Sequence, residues 1–292
     1  MTASMTPVLE SILYRLARAF YRTEVCHSAA MKDALVSLDR YDRYRAEQIG
    51  TVLEAARRYG VALVGRDVLD FGCADGALTP GYRDHGAKSV VGVDIDATAI
   101  ERACKLRARP GVSFAVSVPD RVPLPDESVD VVVSYDVFEH VSRPQPILDE
   151  LYRVLRPGGQ VLIGTWGWSH PFAHHLFAAM PVPWAHVLFG ERVLLRAARR
   201  VYHSPWYVPD QHDLDAHGRK KPNKYTNTEL SPDYLNKLLI RDFERLFRES
   251  RFRYRLHPVP FNSRYARWTR AFLRVPWVRE FVTGYLWVVL GK

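Results

Sequence analysis

The chain has 292 residues, 47% hydrophobic and 25% charged, with 41 Lys and Arg against 32 Asp and Glu for a formal net charge of +9. That length can bury a full α/β core and suits one domain with additions better than two complete ones. Cys26, Cys73 and Cys104 are too few and too scattered for a disulfide scaffold or a thiolate metal site, which points to a reducing, cytoplasmic compartment.

In chain order, Val8 to Arg22 and Tyr41 to Tyr59 space their apolar residues as helices do, giving an N-terminal helical layer over residues 1–64. Arg15 and Arg18 interrupt the first apolar stretch and argue against a signal peptide. No segment approaches the length of a transmembrane span. From residue 65 to 165 apolar strands alternate with helix-like segments: Val68 to Phe71, Val90 to Val93, Ser113 to Val116, Val129 to Tyr135 and Gln160 to Thr165. Short strands joined by crossovers predict a doubly wound, parallel α/β sheet covered on both faces. Pro157-Gly158-Gly159 is expected to stop a helix over Gln145 to Leu155 and open the fifth strand.

Residues 166–230 break this rhythm with an insertion rich in Trp, His and Pro, which reads as a substrate cover at the active end of the sheet. Residues 231–292 then return to it, with a helix expected over Tyr234 to Ser250 and a strand over Arg251 to Val259. A helix-like stretch from Arg264 to Phe281, broken at Pro276, leads to a closing strand over Gly284 to Leu290.

The motif with most chemical content is Val68-Leu-Asp-Phe-Gly-Cys-Ala-Asp-Gly76, a strand running into a Gly-rich turn. A second strand ends in Asp94 about twenty residues on, the separation at which nucleotide-binding α/β units grip a ribose. Turns that bind dinucleotides present N–H groups to a pyrophosphate, so acids inside the turn work against them. Here Asp70 and Asp75 favour a ligand that carries cations, and S-adenosyl-L-methionine has an ammonium, a sulfonium and no phosphate.

Four segments in order carry a family resemblance: Asp70 to Gly76, Val91 to Asp96, Pro123 to Ser134, and Arg153-Val-Leu-Arg-Pro-Gly-Gly159. With them, Gly65 to Gly164 resembles the class I S-adenosylmethionine-dependent methyltransferases, in particular the small-molecule, methyltransferase type 11-like branch. The resemblance implies a Rossmann-like sheet, mostly parallel with an antiparallel last strand, and an acceptor pocket shaped by segments inserted after the fifth strand. It also implies a helical lid, for which Tyr41 and Tyr44 are candidates beside plain packing against the sheet. Ala74 stands where the family's second turn glycine falls, and Val118, followed by Pro119, stands where an acid commonly meets the adenine amino group.

For the cofactor, Asp70 and Gly72 are assigned to the methionine end, Gly76 to close packing of turn and helix, and Asp94 to both ribose hydroxyls. A helix cap is the alternative for Asp94. Tyr44, Cys73, Ala74, Ile95, Val118, Pro119 and Tyr135 complete the expected cofactor set. Asp136 borders the methyl donor or caps the Val137 to Val141 turn.

Methyl transfer is a displacement with a good leaving group, so positioning is the enzyme's main task and a base is needed only if the acceptor must lose a proton. His140 is the most economical base, with a structural hydrogen-bonding role as the alternative. His170 and His174 stand four apart, as two residues on one helix face would. A base or acceptor-binding role suits them better than a metal, for which no carboxylate is near in sequence. Trp166, Trp168, His175 and Trp206 are the expected substrate contacts.

The function expected is methylation of an oxygen, nitrogen or carbon of a small, partly apolar metabolite. A second reading places the acceptor in a lipid, quinone or glycan precursor at a membrane surface, using Trp277, Phe281 and the arginines between Arg241 and Arg279, with the protein peripheral to the membrane. A non-catalytic S-adenosylmethionine-binding scaffold is a third. The basic charge admits nucleic acid as well. However, the chain has no Asn-Pro-Pro-Tyr or Asp-Pro-Pro-Tyr after the fourth strand to hold a flipped base.

Overall fold

The computed structural model describes residues 6–21, 33–215, 217–230, 234–261 and 264–292. Cys26, and Arg22 at the end of the first expected helix, lie outside them. The chain divides into two compact units: a sheet unit, Arg45–Gly167 with Asn236–Lys292, and a helical unit, Met1–Tyr44 with Trp168–Leu235.

The sheet unit holds seven strands: β1 (Asp67–Phe71), β2 (Ser89–Asp94), β3 (Val112–Val116), β4 (Val129–Tyr135), β5 (Leu155–Thr165), β6 (Arg253–Pro260) and β7 (Thr283–Gly291). Their order is β3-β2-β1-β4-β5-β7-β6. Neighbours from β3 through β5 are parallel, whereas β7 runs antiparallel to β5 on one side and β6 on the other. The strand order reverses between β1 and β4, and the crevice beyond the carboxyl ends there is where such sheets bind ligands.

Both faces are apolar because successive strand residues point to opposite sides. On β4 and β7, Val132, Leu286, Val288 and Leu290 face one cluster with Phe243 and Phe247. Val131, Val133, Trp287 and Val289 face the other with Val52, Ala55 and Ala56. The helices of this unit are α3 (Ile49–Tyr59), α4 (Thr79–Asp84), α5 (Ala97–Arg107), α6 (Pro144–Val154), α9 (Ile240–Glu249) and α10 (Pro276–Val282).

The helical unit contains α1 (Thr6–Tyr21), α7 (Ala185–Phe189) and α8 (Glu191–Tyr202), and α2 (Leu38–Glu47) crosses the boundary between the units. Its core sets Leu13 and Ala17 of α1 against Leu194, Ala197, Ala198 and Val201 of α8, closed by Tyr202, Tyr207 and Tyr225. Among the described residues, no helix is long and apolar enough to cross a membrane.

Four expectations need correction. The stretch from Tyr41 to Tyr59 is two helices that meet at Gln48. The helix expected from Tyr234 starts only at Ile240, because the Asn236 side chain donates to Phe138 O (2.5 Å) and Val141 O (3.1 Å) and accepts from Leu238 N, holding the approach extended. Strand β5 begins at Leu155 and carries Pro157-Gly158-Gly159 within it, with a register shift opposite Val129 and Val131 and Gly158 at φ 78°. The stretch before Pro276 is a 3-10 helix, Arg264–Arg274.

Candidate methyl-donor site

The turn after β1 is folded onto the end of β2. Gly72 N and Cys73 N both donate to Val93 O (2.8 and 3.0 Å), and Gly76 N returns to Cys73 O (2.8 Å). Gly72 and Gly76 sit at φ 78° and 77°. A Cβ on Gly72 would lie 2.4 Å from both methyls of Val137, and one on Gly76 would lie 2.5 Å from the Phe114 ring, so the turn's path requires both glycines. Ala74 also takes a left-handed φ, 49°, which gives the missing second glycine a definite cost.

Each acid of this region has a partner within the sheet unit. Asp70 is buried and accepts the Thr79 hydroxyl (2.6 Å) at the start of α4. Burial pushes its carboxyl up to about 6, against the opposing pull of the Thr79 bond and the Arg45 charge. Asp75 lies 3.9 Å from Arg102. Asp94 stands at the mouth of the turn, where its Oδ2 accepts from Ala74 N (2.8 Å) and its Oδ1 from Asp96 N (3.0 Å). Asp94 is not the cap of α5; Asp96 is, accepting from Thr98 N and Ala99 N.

Beside Asp94, Ile95 and Val118 leave the ends of the adjacent strands β2 and β3 with 67% and 55% of their surfaces exposed. Pro119 is exposed next to Val118, in a turn closed by the Val118 and Arg121 bridge. Cys73 is buried under the turn and touches the position a Gly92 side chain would fill.

At the end of β4, Asp136 holds φ 56° and its N–H still donates to Gly164 O (2.9 Å), so the left-handed turn begins without breaking the ladder to β5. Its Oδ1 accepts the Tyr285 hydroxyl from β7 (2.6 Å), and the following 3-10 turn, Phe138–His140, has no side-chain cap. Glu139 is buried and accepts the Thr165 hydroxyl (2.7 Å). Desolvation, then the nearby Asp136 charge, pushes Glu139 up to about 8, and desolvation raises Asp136 as well. The pair thus carries less negative charge at neutral pH than two ordinary carboxylates would.

Around the pair stand Tyr135, Trp166, Tyr285 and Trp287, each ring within 6.4 Å of a neighbour's centroid. Gly164 makes room for two of them, since a Cβ there would meet the Tyr285 hydroxyl at 2.7 Å and the Trp287 ring at 2.8 Å. His140 is half-buried in the same 3-10 turn as Glu139.

Gly72, Cys73, Ala74, Gly76, Asp70, Asp94, Ile95, Val118, Pro119, Tyr135, Asp136, His140 and Trp166 thus all lie in the sheet unit, at the carboxyl ends of its strands or in the turns that follow. Arg45, Glu139, Thr165, Tyr285 and Trp287 join them there without having been expected. Only Glu139 carried a sequence signal, as an acid inside the apolar run Val137-Phe138-Glu139-His140-Val141.

The remaining expected residues belong to the helical unit. Tyr44 is its half-buried last residue before the boundary in α2. His170 and His174 lie in successive turns, not on a helix. Their Nδ1 atoms accept Phe172 N (3.2 Å) and Leu176 N (3.0 Å), and such side-chain bonds replace helical ones. Both rings are buried, His174 completely, and burial lowers His170 to about 3 and His174 well below its usual range.

Trp168 packs on His186, whose Nε2 bonds Trp168 O (2.7 Å). His175, at φ 55°, stacks on Phe177. Trp206 donates to the Tyr14 hydroxyl (3.0 Å) and packs against Tyr14 and Tyr21 of α1. His170 and His174 are thus interior, while Trp168 and Trp206 pack partly buried against the helical unit's core.

The fold is a Rossmann-like, mostly parallel sheet of the kind that methyltransferase domains have. Residues 69–163 match the family model described as "Methyltransferase domain". An uncharacterized methyltransferase of Mycobacterium ulcerans (strain Agy99) is 33% identical over 144 residues, 49% of this chain and 54% of that protein. One from Mycobacteroides abscessus is 29% identical over 234 residues, 79% and 78% of the two chains. The chain spans about half the length of the curated relatives it matches at a third identity. Among solved structures, a complex between the Trm112 methyltransferase activator and a methyltransferase of Haloferax volcanii shares the fold, with a TM-score of 0.52 at 16% identity over 87% of this chain and 94% of that one. Over these residues the chain is similar to S-adenosylmethionine-dependent methyltransferases, whose cofactor is S-adenosyl-L-methionine.

Proposed function

We propose that the chain transfers a methyl group from S-adenosyl-L-methionine to a small, partly apolar acceptor. The observation that carries this reading is Asp94, a carboxylate at the end of β2 free of any helix-capping duty and flanked by the exposed apolar residues Ile95 and Val118. A carboxylate with two oxygens suits a ribose diol, and two apolar side chains standing in water suit the faces of a purine. Asp94, Ile95, Val118 and the Gly72 to Gly76 turn are thus the residues that would hold the cofactor.

The bound cofactor supplies an electrophilic methyl group on a good leaving thioether. The protein's part is to hold the acceptor in line and dry. Tyr135, Trp166, Tyr285 and Trp287 supply a rigid apolar wall at the carboxyl ends of β4 and β5, backed by Gly164. Tyr285 orients the Asp136 carboxyl through its hydroxyl, and Glu139, raised by burial, holds a proton near neutral pH. His140, in the same turn, is the base for an acceptor that must be deprotonated.

Calorimetry with S-adenosylmethionine tests the reading. Asp94→Ala is expected to weaken binding by about 1.5–3 kcal/mol, the cost of losing charge-assisted hydrogen bonds. Unchanged affinity would remove Asp94 from the ribose site, and no heat for the unmodified chain would end the methyltransferase reading.

A further inference from the structure

The stretch from Arg264 to Val282 turns large apolar side chains outward. Trp268 is 68% exposed and Trp277 75%, with Phe272, Val275 and Phe281 also exposed between and beyond them. The Trp268 and Phe272 rings meet edge-on at 5.7 Å, so they form one patch and not two isolated side chains. Scattered apolar residues need no explanation, but five large ones within fourteen residues do.

The segment is held in place from behind. Thr269 and Glu280 are buried on its inner side. The Glu280 carboxylate accepts Ile240 N (2.8 Å) and Arg241 N (3.0 Å) at the start of α9. Arg279 grips both oxygens of Glu244, one of them at 3.0 Å. The outward aromatics are therefore presented by an anchored element.

Charge selects the partner. The stretch contains Arg264, Arg267, Arg270, Arg274 and Arg279, and its one acid is Glu280. With Glu280 committed to backbone amides and Arg279 to Glu244, Arg270 and Arg274 remain exposed cations beside the rings, and the Arg241 guanidinium lies 5.6 Å from the Trp277 centroid. Tryptophan and phenylalanine flanked by arginine suit the boundary between headgroups and acyl chains, where the ring is wetted at one edge and arginine meets anionic lipid.

We infer that Arg264 to Val282 docks the protein on an anionic lipid bilayer, with Trp268, Phe272, Trp277 and Phe281 entering the interface and Arg270 and Arg274 meeting its phosphates. This surface goes beyond methyl transfer, and its test needs none. The full chain is co-sedimented at low salt with vesicles of 30% phosphatidylglycerol in phosphatidylcholine, and with pure phosphatidylcholine. Binding to the anionic vesicles is expected, at least tenfold weaker to the neutral ones, with quenching of tryptophan emission by brominated acyl chains.

Trp268→Ser with Trp277→Ser, and separately Arg270→Glu with Arg274→Glu, should each reduce binding at least tenfold while the thermal midpoint and S-adenosylmethionine affinity stay unchanged. Equal binding to both vesicle types, or no binding, overturns the proposal. So does variant-sensitive binding to a single-stranded RNA oligomer without vesicle binding, or a concentration-dependent dimer abolished by the same Trp changes.

Discussion

Among the buried histidines and carboxyls whose titration burial shifts, the two units hold opposite kinds. The helical unit encloses His170, His174 and His186, all shifted toward the neutral form by burial. The sheet unit encloses Asp70 and Glu139, shifted toward the protonated form by the same cause. In each case the interior rejects charge, but acid is what forces charge on a histidine and base what forces it on a carboxyl. The helical unit should therefore weaken as pH falls and the sheet unit as pH rises, a difference that a single melting temperature would average away.

The largest single effect should come from the sheet unit's turn. Gly72→Ala places a methyl against the stiff Val137 side chain in a left-handed backbone, at a cost of about 2–4 kcal/mol in chemical denaturation. A loss below 0.5 kcal/mol, on the order of an ordinary surface change, would show that the turn is not rigidly packed.

Glu139→Gln comes next, because it removes a titration without removing the side chain. With its carboxyl raised from 4.5 to about 8, the folded state holds a proton that the unfolded state has released between those values, so stability falls as pH rises across that window. The slope is about 1.4 kcal/mol per pH unit. Hydrogen exchange at Val161 to Ile163 should show this slope flattened in the variant, and an identical slope would place the titration elsewhere.

His170 gives the mirror image. Lowered from 6.5 to about 3, it stays neutral in the fold while the unfolded chain takes up a proton, so stability is full above 6.5 and declines as pH falls toward 3. At pH 5 the loss is about 2 kcal/mol. Exchange at Leu194 to Val201 should report it, and His170→Asn, which keeps an acceptor for Phe172 N, should recover it; equal acid sensitivity of both proteins would break the comparison.

The smallest effect is a gain. Ala74→Gly relieves a left-handed alanine and should stabilise the sheet unit by up to about 1 kcal/mol in a denaturant titration.

The same contrast explains what the sequence disclosed. The sheet unit's strands and the turns after them were legible because continuous apolar runs and obligatory turn glycines leave local marks, as at Val131 to Val133 and at Gly72. Tyr285 and Trp287 were not, because their value comes from the pairing of β7 with β5, which puts Trp287 opposite Gly164. Nothing near residue 285 signals Asp136, 149 positions earlier. The packing of the insertion was illegible for the same reason. Its Trp and His residues look like ligand contacts by type, while Trp206 donates its indole N–H to Tyr14 and the Trp168 backbone carbonyl meets His186, contacts built between distant segments.

Strand β7 sets the order in which the sheet unit can be made. It follows every other strand in the chain, yet it lies between β5 and β6 and not at an edge. Until it emerges from the ribosome, β5 and β6 each present an unpaired edge to the crowded cell, and Tyr285 is not yet beside Asp136. The nascent protein can assemble β1 to β5 early, but it closes its sheet and completes its aromatic wall in one late step, which makes that interval its period of greatest exposure to misassembly and chaperone capture.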